Sequence, residues 1–135
     1  MQLVRVPETS VSSTWPHIED AIADACKSSF GRYEAEHVKQ FAEEMLWQIW
    51  LVYDDDGRIV FVGATEVVEY PTGLKTIAWR MGTGHGREDW QHFMNEILRQ
   101  AKDQGCTKAE GGFRIGWKRV FKNWSHTHEV LEMNL

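Results

Sequence analysis

The densest run of chemically suggestive residues is Arg80-Met-Gly-Thr-Gly-His-Gly86, followed by Arg87, Glu88, Asp89 and Trp90. Closely spaced glycine amides at a strand-to-helix junction can form a nest that holds an anion. Met81, Gly82, Thr83, Gly84, His85 and Gly86 are therefore the candidates for an anion-binding turn. Glu88 and Asp89, at the start of the helix expected next, complement its dipole themselves and compete with a phosphate. A glycine-rich turn without a ligand accounts for the same residues. His85 reads either as a ligand contact or as loop surface.

Three carboxylates are candidates for general-base work. Glu66 and Glu69 fall on opposite faces of one long predicted strand, and Glu110 ends a later one. Each could activate an amine through a water if its pKa were raised; each also reads as a surface carboxylate. His126-Thr-His128 sets two imidazoles about 7 Å apart along a strand. Glu129 would lie on the opposite face and no third ligand is visible, so no metal is assigned. Asp54-Asp-Asp56 lacks the spaced ligands of a calcium loop and reads as a turn. Cys26 and Cys106 form no C-x-x-C pair and read as reduced thiols. The sequence contains no G-x-S-x-G elbow and no P-loop lysine after its glycines.

The apolar periodicity predicts the elements that would position these groups. Leu3, Val4 and Val6 form a first strand, stopped by Pro7. Val11, Trp15, Ile18, Ile22 and Ala25 make one face of an amphipathic helix. Pro16 suits it if placed in the first turn. A second helix runs from about Glu34 to Leu46, with Val38, Phe41, Ala42 and Met45 as its stripe. Residues 47–53 are apolar on both faces, as in a central strand. Turns at Asp54–Gly57 and Pro71–Gly73 separate strands over Arg58–Tyr70 and Leu74–Met81. The glycine loop over Gly82–Gly86 leads into a helix from about Glu88 to Gln104, followed by Gly105. A short strand from Cys106 to Glu110 comes next. Trp117, Val120, Phe121 and Trp124 suggest a short helix, and Thr127, Leu131 and Met133 alternate in a last strand. The order is β-α-α-β-β-β-α-β-α-β. The helix joining the fourth and fifth strands implies a right-handed parallel crossover. The fold class is α+β, with a mixed, mostly antiparallel sheet flanked by helices on both faces.

The chain has 135 residues, one domain's worth, so residues 1–135 are read as a single domain. A net charge of −5 argues against holding nucleic acid through a global field. A local patch of Arg114, Lys118, Arg119 and Lys122 is the exception; it also reads as a solvated helix face. No stretch approaches the ~20 apolar residues of a membrane span. The N-terminal MQLVRVPETS lacks the apolar run of a signal peptide, so a cytoplasmic setting is expected. Seven tryptophans are many for this length. They imply an aromatic core, an exposed face for a protein partner, or both.

This order of elements resembles the GNAT superfamily of acetyl-CoA-dependent N-acetyltransferases. In that family the fourth strand leads into a loop patterned Q/R-x-x-G-x-G/A, whose amides hold the cofactor pyrophosphate. Here Arg80 to Gly84 reads R-x-G-x-G, one residue short of that spacing. The resemblance implies acetyl-CoA at Met81–Gly86 and an acceptor amine between the fourth and fifth strands. The family usually places a tyrosine in the last helix as general acid. Tyrosine occurs here only at 33, 53 and 70, and Trp117 and Phe121 stand in the equivalent segment. The chain also resembles small GNAT-like proteins of tailed bacteriophages, through its compactness, short hairpins and the run Gly116-Trp-Lys-Arg-Val-Phe-Lys122. That implies a catalytically degenerate, virion-associated or host-cytoplasmic protein without a cofactor, working through protein contacts. The other implication is a working N-acetyltransferase. Trp15, Trp47 or Trp50, and Trp90 fall on predicted core faces. Trp79, Trp117 and Trp124 would border the cofactor cleft.

Overall fold

The computed structural model describes residues 1–86, 90–113 and 121–135. Five strands form one sheet in the order β1 (Gln2–Arg5), β2 (Gln48–Tyr53), β3 (Ile59–Glu69), β4 (Lys75–Gly84) and β5 (Lys108–Gly111). Pairings β1–β2, β2–β3 and β3–β4 are antiparallel, and β4–β5 is parallel. The expected mixed α+β sheet is present. Helices α1 (Val11–Cys26) and α2 (Ala35–Glu43) precede β2, and α3 (His92–Asp103) connects β4 to β5.

The two faces of the sheet bury different helices. Val11, Trp15, Ile18, Ile22 and Ala25, spaced as one helical stripe, are all buried. With Val38 and Ala42 of α2, the first four of these cover Ile49, Leu51, Val62 and Ala64. On the other face Phe61 and Val52 pack against Trp90 and Met94, and Ile77 against Ala101 and Cys106. Period-2 alternation along β2 and β3 sends neighbours to opposite cores.

Several local expectations change. Pro16 lies in the second turn of α1, so the Ser12 carbonyl loses its usual i+4 amide. Burial of Trp15, Ile18 and Ile22 on either side holds the helix through this defect. The second helix ends at Glu43, because the Phe41 carbonyl accepts the N–H groups of Leu46 and Trp47 at 2.9 and 3.2 Å. Met45 takes a left-handed φ of 62° and points into solvent instead of joining the stripe. The fourth strand continues to Gly84, so Gly82, Thr83 and Gly84 are strand residues and not loop. Residues 121–135 carry no strand, so the alternation of Thr127, Leu131 and Met133 is not realised. Val130, Leu131, Met133 and Leu135 are exposed, with no facing strand to bury them. Of the expected short helix, residues 117–120 lie outside the described residues, and Phe121–Trp124 form a turn.

A buried relay ties β2 to β3. The Trp50 indole N–H donates to the Thr65 hydroxyl at 2.8 Å, and that hydroxyl donates to the Gln48 side chain at 3.0 Å. Thr65 and Trp50 are 1% and 4% exposed, so no water can replace a lost partner. Thr65→Val keeps the shape and orphans the indole. It should lower unfolding free energy by about 1–3 kcal/mol, read as a reduced urea midpoint at unchanged m-value.

Candidate functional site

The site forms where β4 and β5 part. The parallel pairing runs from Thr76↔Lys108 to Trp79↔Gly111 and stops. Among the described residues β4 continues to Gly84 against β3 alone. Arg80 is the extra residue of a bulge, since Thr65 pairs with Trp79 and Ala64 with Met81. Beyond it, the His85 N–H donates to the Val60 carbonyl at 2.9 Å. Antiparallel alternation then turns the Gly84 and Gly82 N–H groups away from β3, to the open edge. Both glycines are exposed.

The strand also shifts the glycine register. With Gly84 ending β4, only His85 and Gly86 are described in the following turn. Met81-x-x-Gly84-x-Gly86 then matches the family spacing, with Met in the first position. Arg87, Glu88 and Asp89 lie outside the described residues.

Aromatic rings occupy the α3 side of this parting. Trp90 stacks on Phe61 with centroids 4.4 Å apart, and Phe61 meets Trp79 edge-on at 6.4 Å. Phe113, Phe121 and Trp124 form a second cluster at 4.9–5.3 Å. Phe121 also packs against the Trp90 group. Between β4, β5 and α3, Trp79 and Trp124 line a cavity of about 10 Å³, on the order of one water. Two glycines permit this closeness. A Cβ at Gly111 would lie 2.8 Å from the Phe113 ring and 3.0 Å from Trp79. One at Gly84 would lie 2.7 Å from the Val60 carbonyl and 3.1 Å from the Trp90 indole nitrogen. That nitrogen is buried and has no hydrogen-bond partner among the described residues.

On the α1/α2 side the structure brings two of the three carboxylates to one face. Glu66 Oε2 accepts from the Trp47 indole at 3.1 Å and pairs with the Arg80 guanidinium at 2.6 Å. Arg80 in turn lies 6.0 Å over the Trp47 ring. Glu110 Oε1 accepts from the Tyr70 hydroxyl at 2.5 Å and from the buried Thr76 hydroxyl at 3.0 Å. Glu69 stays apart, exposed on the other face and cross-strand from Lys75. No sequence signal links Tyr70, Thr76, Trp47 or Arg80 to these carboxylates. Only the β3–β4–β5 register joins them to the carboxylates.

The remaining candidates disperse. His126 and His128 are exposed and turn to different neighbours, Glu129 at 3.6 Å and Thr127 at 2.9 Å. Without a strand nothing holds their rings side by side. Arg114, Lys118 and Arg119 lie outside the described residues, and Lys122 is exposed. Trp117 is likewise not described. Trp15, Trp47, Trp50 and Trp90 are buried, while Trp79 and Trp124 are half-buried beside the parting. Glu34, Glu36 and His37, within 4.8 Å of one another, were not anticipated. His37 Nδ1 accepts the Glu34 N–H at 3.0 Å, which ties the cluster to the start of α2. Among the described residues no helix is long and apolar enough to cross a membrane.

No protein-family model matches the sequence, and no curated protein matches it. Solved structures do match its fold. A ribosomal-protein-alanine N-acetyltransferase from Brucella melitensis biovar Abortus 2308 is similar, with TM-score 0.68 and 10% identity, covering 100% of this chain and 99% of that one. A predicted acetyltransferase from Clostridium acetobutylicum, solved with acetyl-CoA, gives TM-score 0.67 and 13% identity over 98% and 95% of the two chains. An aminoglycoside acetyltransferase from an uncultured soil metagenomic sample, in complex with sisomicin, gives 0.69 and 9% over 99% and 95%. These neighbours and the sheet order establish a GNAT fold.

The Glu110 carboxylate makes a specific titration signature. Its hydrogen bond to Tyr70 holds the phenol proton and raises the tyrosine pKa above 10.0. A raised folded-state value adds stability below the unfolded pKa, and that stability is lost as pH rises through the folded one. Glu110→Gln should bring the Tyr70 midpoint back toward 10.0, read from absorbance at high pH in a Tyr33→Phe, Tyr53→Phe background.

Proposed function

We propose that this GNAT-fold chain, as one domain over residues 1–135, is catalytically degenerate and works by holding a protein partner. The observation that carries the reading is the aromatic filling of the β4–β5 parting. Trp79, Trp90, Phe113, Phe121 and Trp124 pack on the side where a cofactor would lie, and the cavity that Trp79 and Trp124 border measures about 10 Å³. Ligand sites for cofactor-sized molecules typically need ~300 Å³ or more. The carboxylates add support, because Glu66 and Glu110 are engaged by neighbouring side chains. A phage-encoded setting, in the virion or the host cytoplasm, fits the resemblance drawn from the Gly116–Lys122 run.

A second reading has its own observations. The Gly82 and Gly84 amides at the open β4 edge, the Met81–Gly86 spacing and the orphan Trp90 indole N–H would suit acetyl-CoA. Under it the chain is an acetyl-CoA-dependent N-acetyltransferase, with Glu66, Glu69 or Glu110 as base. The phosphates would lie against the amides of Gly84 and Gly86, and the cofactor would supply the acetyl group.

Thermal melting with millimolar acetyl-CoA separates the two. A ligand at 100 times its Kd adds about 2.7 kcal/mol to native stability, a shift of several degrees. The degenerate reading expects no shift and no saturation-transfer signal from the CoA protons. A shift that disappears in Gly84→Glu overturns it in favour of the enzyme.

A further inference from the structure

Two stretches of this chain are β structure without protection. The first is the outer edge of β4, which no strand among the described residues covers beyond Trp79↔Gly111. Sheet edges are ordinarily blunted by shortness, charge or proline. β1 has four residues, ends in Arg5 and is soon followed by Pro7. β5 also has four residues, and carries Lys108 and Glu110. The stretch Met81-Gly-Thr-Gly84 has neither charge nor proline, and Gly82 and Gly84 are exposed. Ladder bonds alternate along an antiparallel strand. With the His85 N–H bonded to Val60, the N–H and C=O groups of Gly82 and Gly84 all face outward. An anion can meet only the amides; a further strand meets donors and acceptors alike.

The second stretch lies within residues 125–135. Leu131, Met133 and Leu135 recur at period two, with Glu132 and Asn134 between them, as in a half-buried strand. Leu131 is 89% and Met133 79% exposed. An unblunted edge and an exposed apolar strand pattern are each an association hazard. The two are complementary. Gly82 and Gly84 leave the α3 face of the edge without side chains, next to the Phe61 ring. Large residues on a neighbouring strand cover such glycines. With Leu131, Met133 and Leu135 on that face, Glu132 falls on the opposite one, which carries Arg80.

Within one chain the two stretches stay apart. Trp124 lines the small cavity beside Trp79, where the open edge begins. A run from there along its own β4 would set residues 125–129 beside 80–84 and carry Leu131 and Met133 past Gly84. The segment instead turns to the loop after α1, where Arg32 meets Glu132 at 3.1 Å. That exposed pair is weak and can give way. The 131–135 segment of a second copy has no tether at Trp79 and can lie along the whole edge.

We propose that residues 131–135 of one copy add as a further strand to the open β4 edge, residues 80–84, of a second copy, and that the exchange is reciprocal in a two-fold dimer. The inference rests on the partner-binding reading above, because bound acetyl-CoA would take the same edge, and it makes that partner a second copy of this chain.

The test is sedimentation of the full chain from micromolar to millimolar concentration, without acetyl-CoA, together with amide NMR. A concentration-dependent dimer is the expected result. Leu131→Asp/Met133→Asp should weaken it by about ten-fold or more, through loss of two buried apolar side chains. Both side chains are exposed in the single copy, so the dilute variant should keep its melting temperature. The variant's own β4 edge stays open. Isotope-labelled variant should therefore show shifted Gly82 and Gly84 amides when unlabelled, unsubstituted chain is added. A monomer at every concentration, a dimer indifferent to both substitutions, or unmoved Gly82 and Gly84 amides would each overturn the proposal. Gly82 and Gly84 amides already protected from hydrogen exchange in the dilute monomer would also overturn it, by assigning the edge to the chain's own segment. A monomer with no acetyl-CoA melting shift overturns this inference and leaves the degenerate reading standing. The melting shift that disappears in Gly84→Glu ends that reading separately.

Discussion

β4 is ten residues long, and β5 accompanies it for only four. Past Trp79↔Gly111 no strand among the described residues lies beside the outer edge of β4, while its inner edge stays paired to β3. Unpaired amides at a sheet edge must be met by water, a ligand or another chain. The bulge at Arg80 falls at the same point and re-aims that side chain onto Glu66. One mismatch in strand length thus produces an open edge, a wedge beside it and a charge pair on the reverse face.

The wedge is where this chain departs from what the fold permits. A wedge between two strands lined by glycine can admit a ligand, but close backbone approach also lets rings slide in. Gly111 and Gly84 lack the Cβ atoms that would collide with Phe113, Trp79 and Trp90. The rings that enter gain burial and edge or stacked contacts, each pair contributing about 0.5–1.5 kcal/mol beyond area. The buried Trp90 N–H is the cost of that packing, an unmet donor in an apolar cluster.

Most of the scaffold was legible in the sequence. The stripes of α1 and α3 and the double-sided apolarity of β2 reflect burial, which depends on side-chain type and period. The parallel crossover follows from element order and chain handedness. Element ends were less legible. Gly82 and Gly84 look like loop residues, yet β3 supplies a ladder that carries β4 through them. Met45 has the right spacing for a helical stripe, yet the Phe41 carbonyl closes the helix two residues earlier. The alternation near Leu131 and Met133 has no strand to meet it among the described residues. In each case the deciding partner is remote in sequence.

The candidate carboxylates show the same division. Residue type alone marked Glu66, Glu69 and Glu110 as groups able to carry charge or take a proton. Only the register of three strands gave Glu66 its arginine and indole, gave Glu110 its tyrosine and threonine, and left Glu69 in solvent. By itself the sequence determined the elements as far as β5, their order and the faces they bury, because periodic apolar burial is a local property. The tertiary structure decided which side chains meet at the β4–β5 parting and whether rings or open space occupy it. Those outcomes depend on pairing register and strand length, which no local stretch of sequence contains.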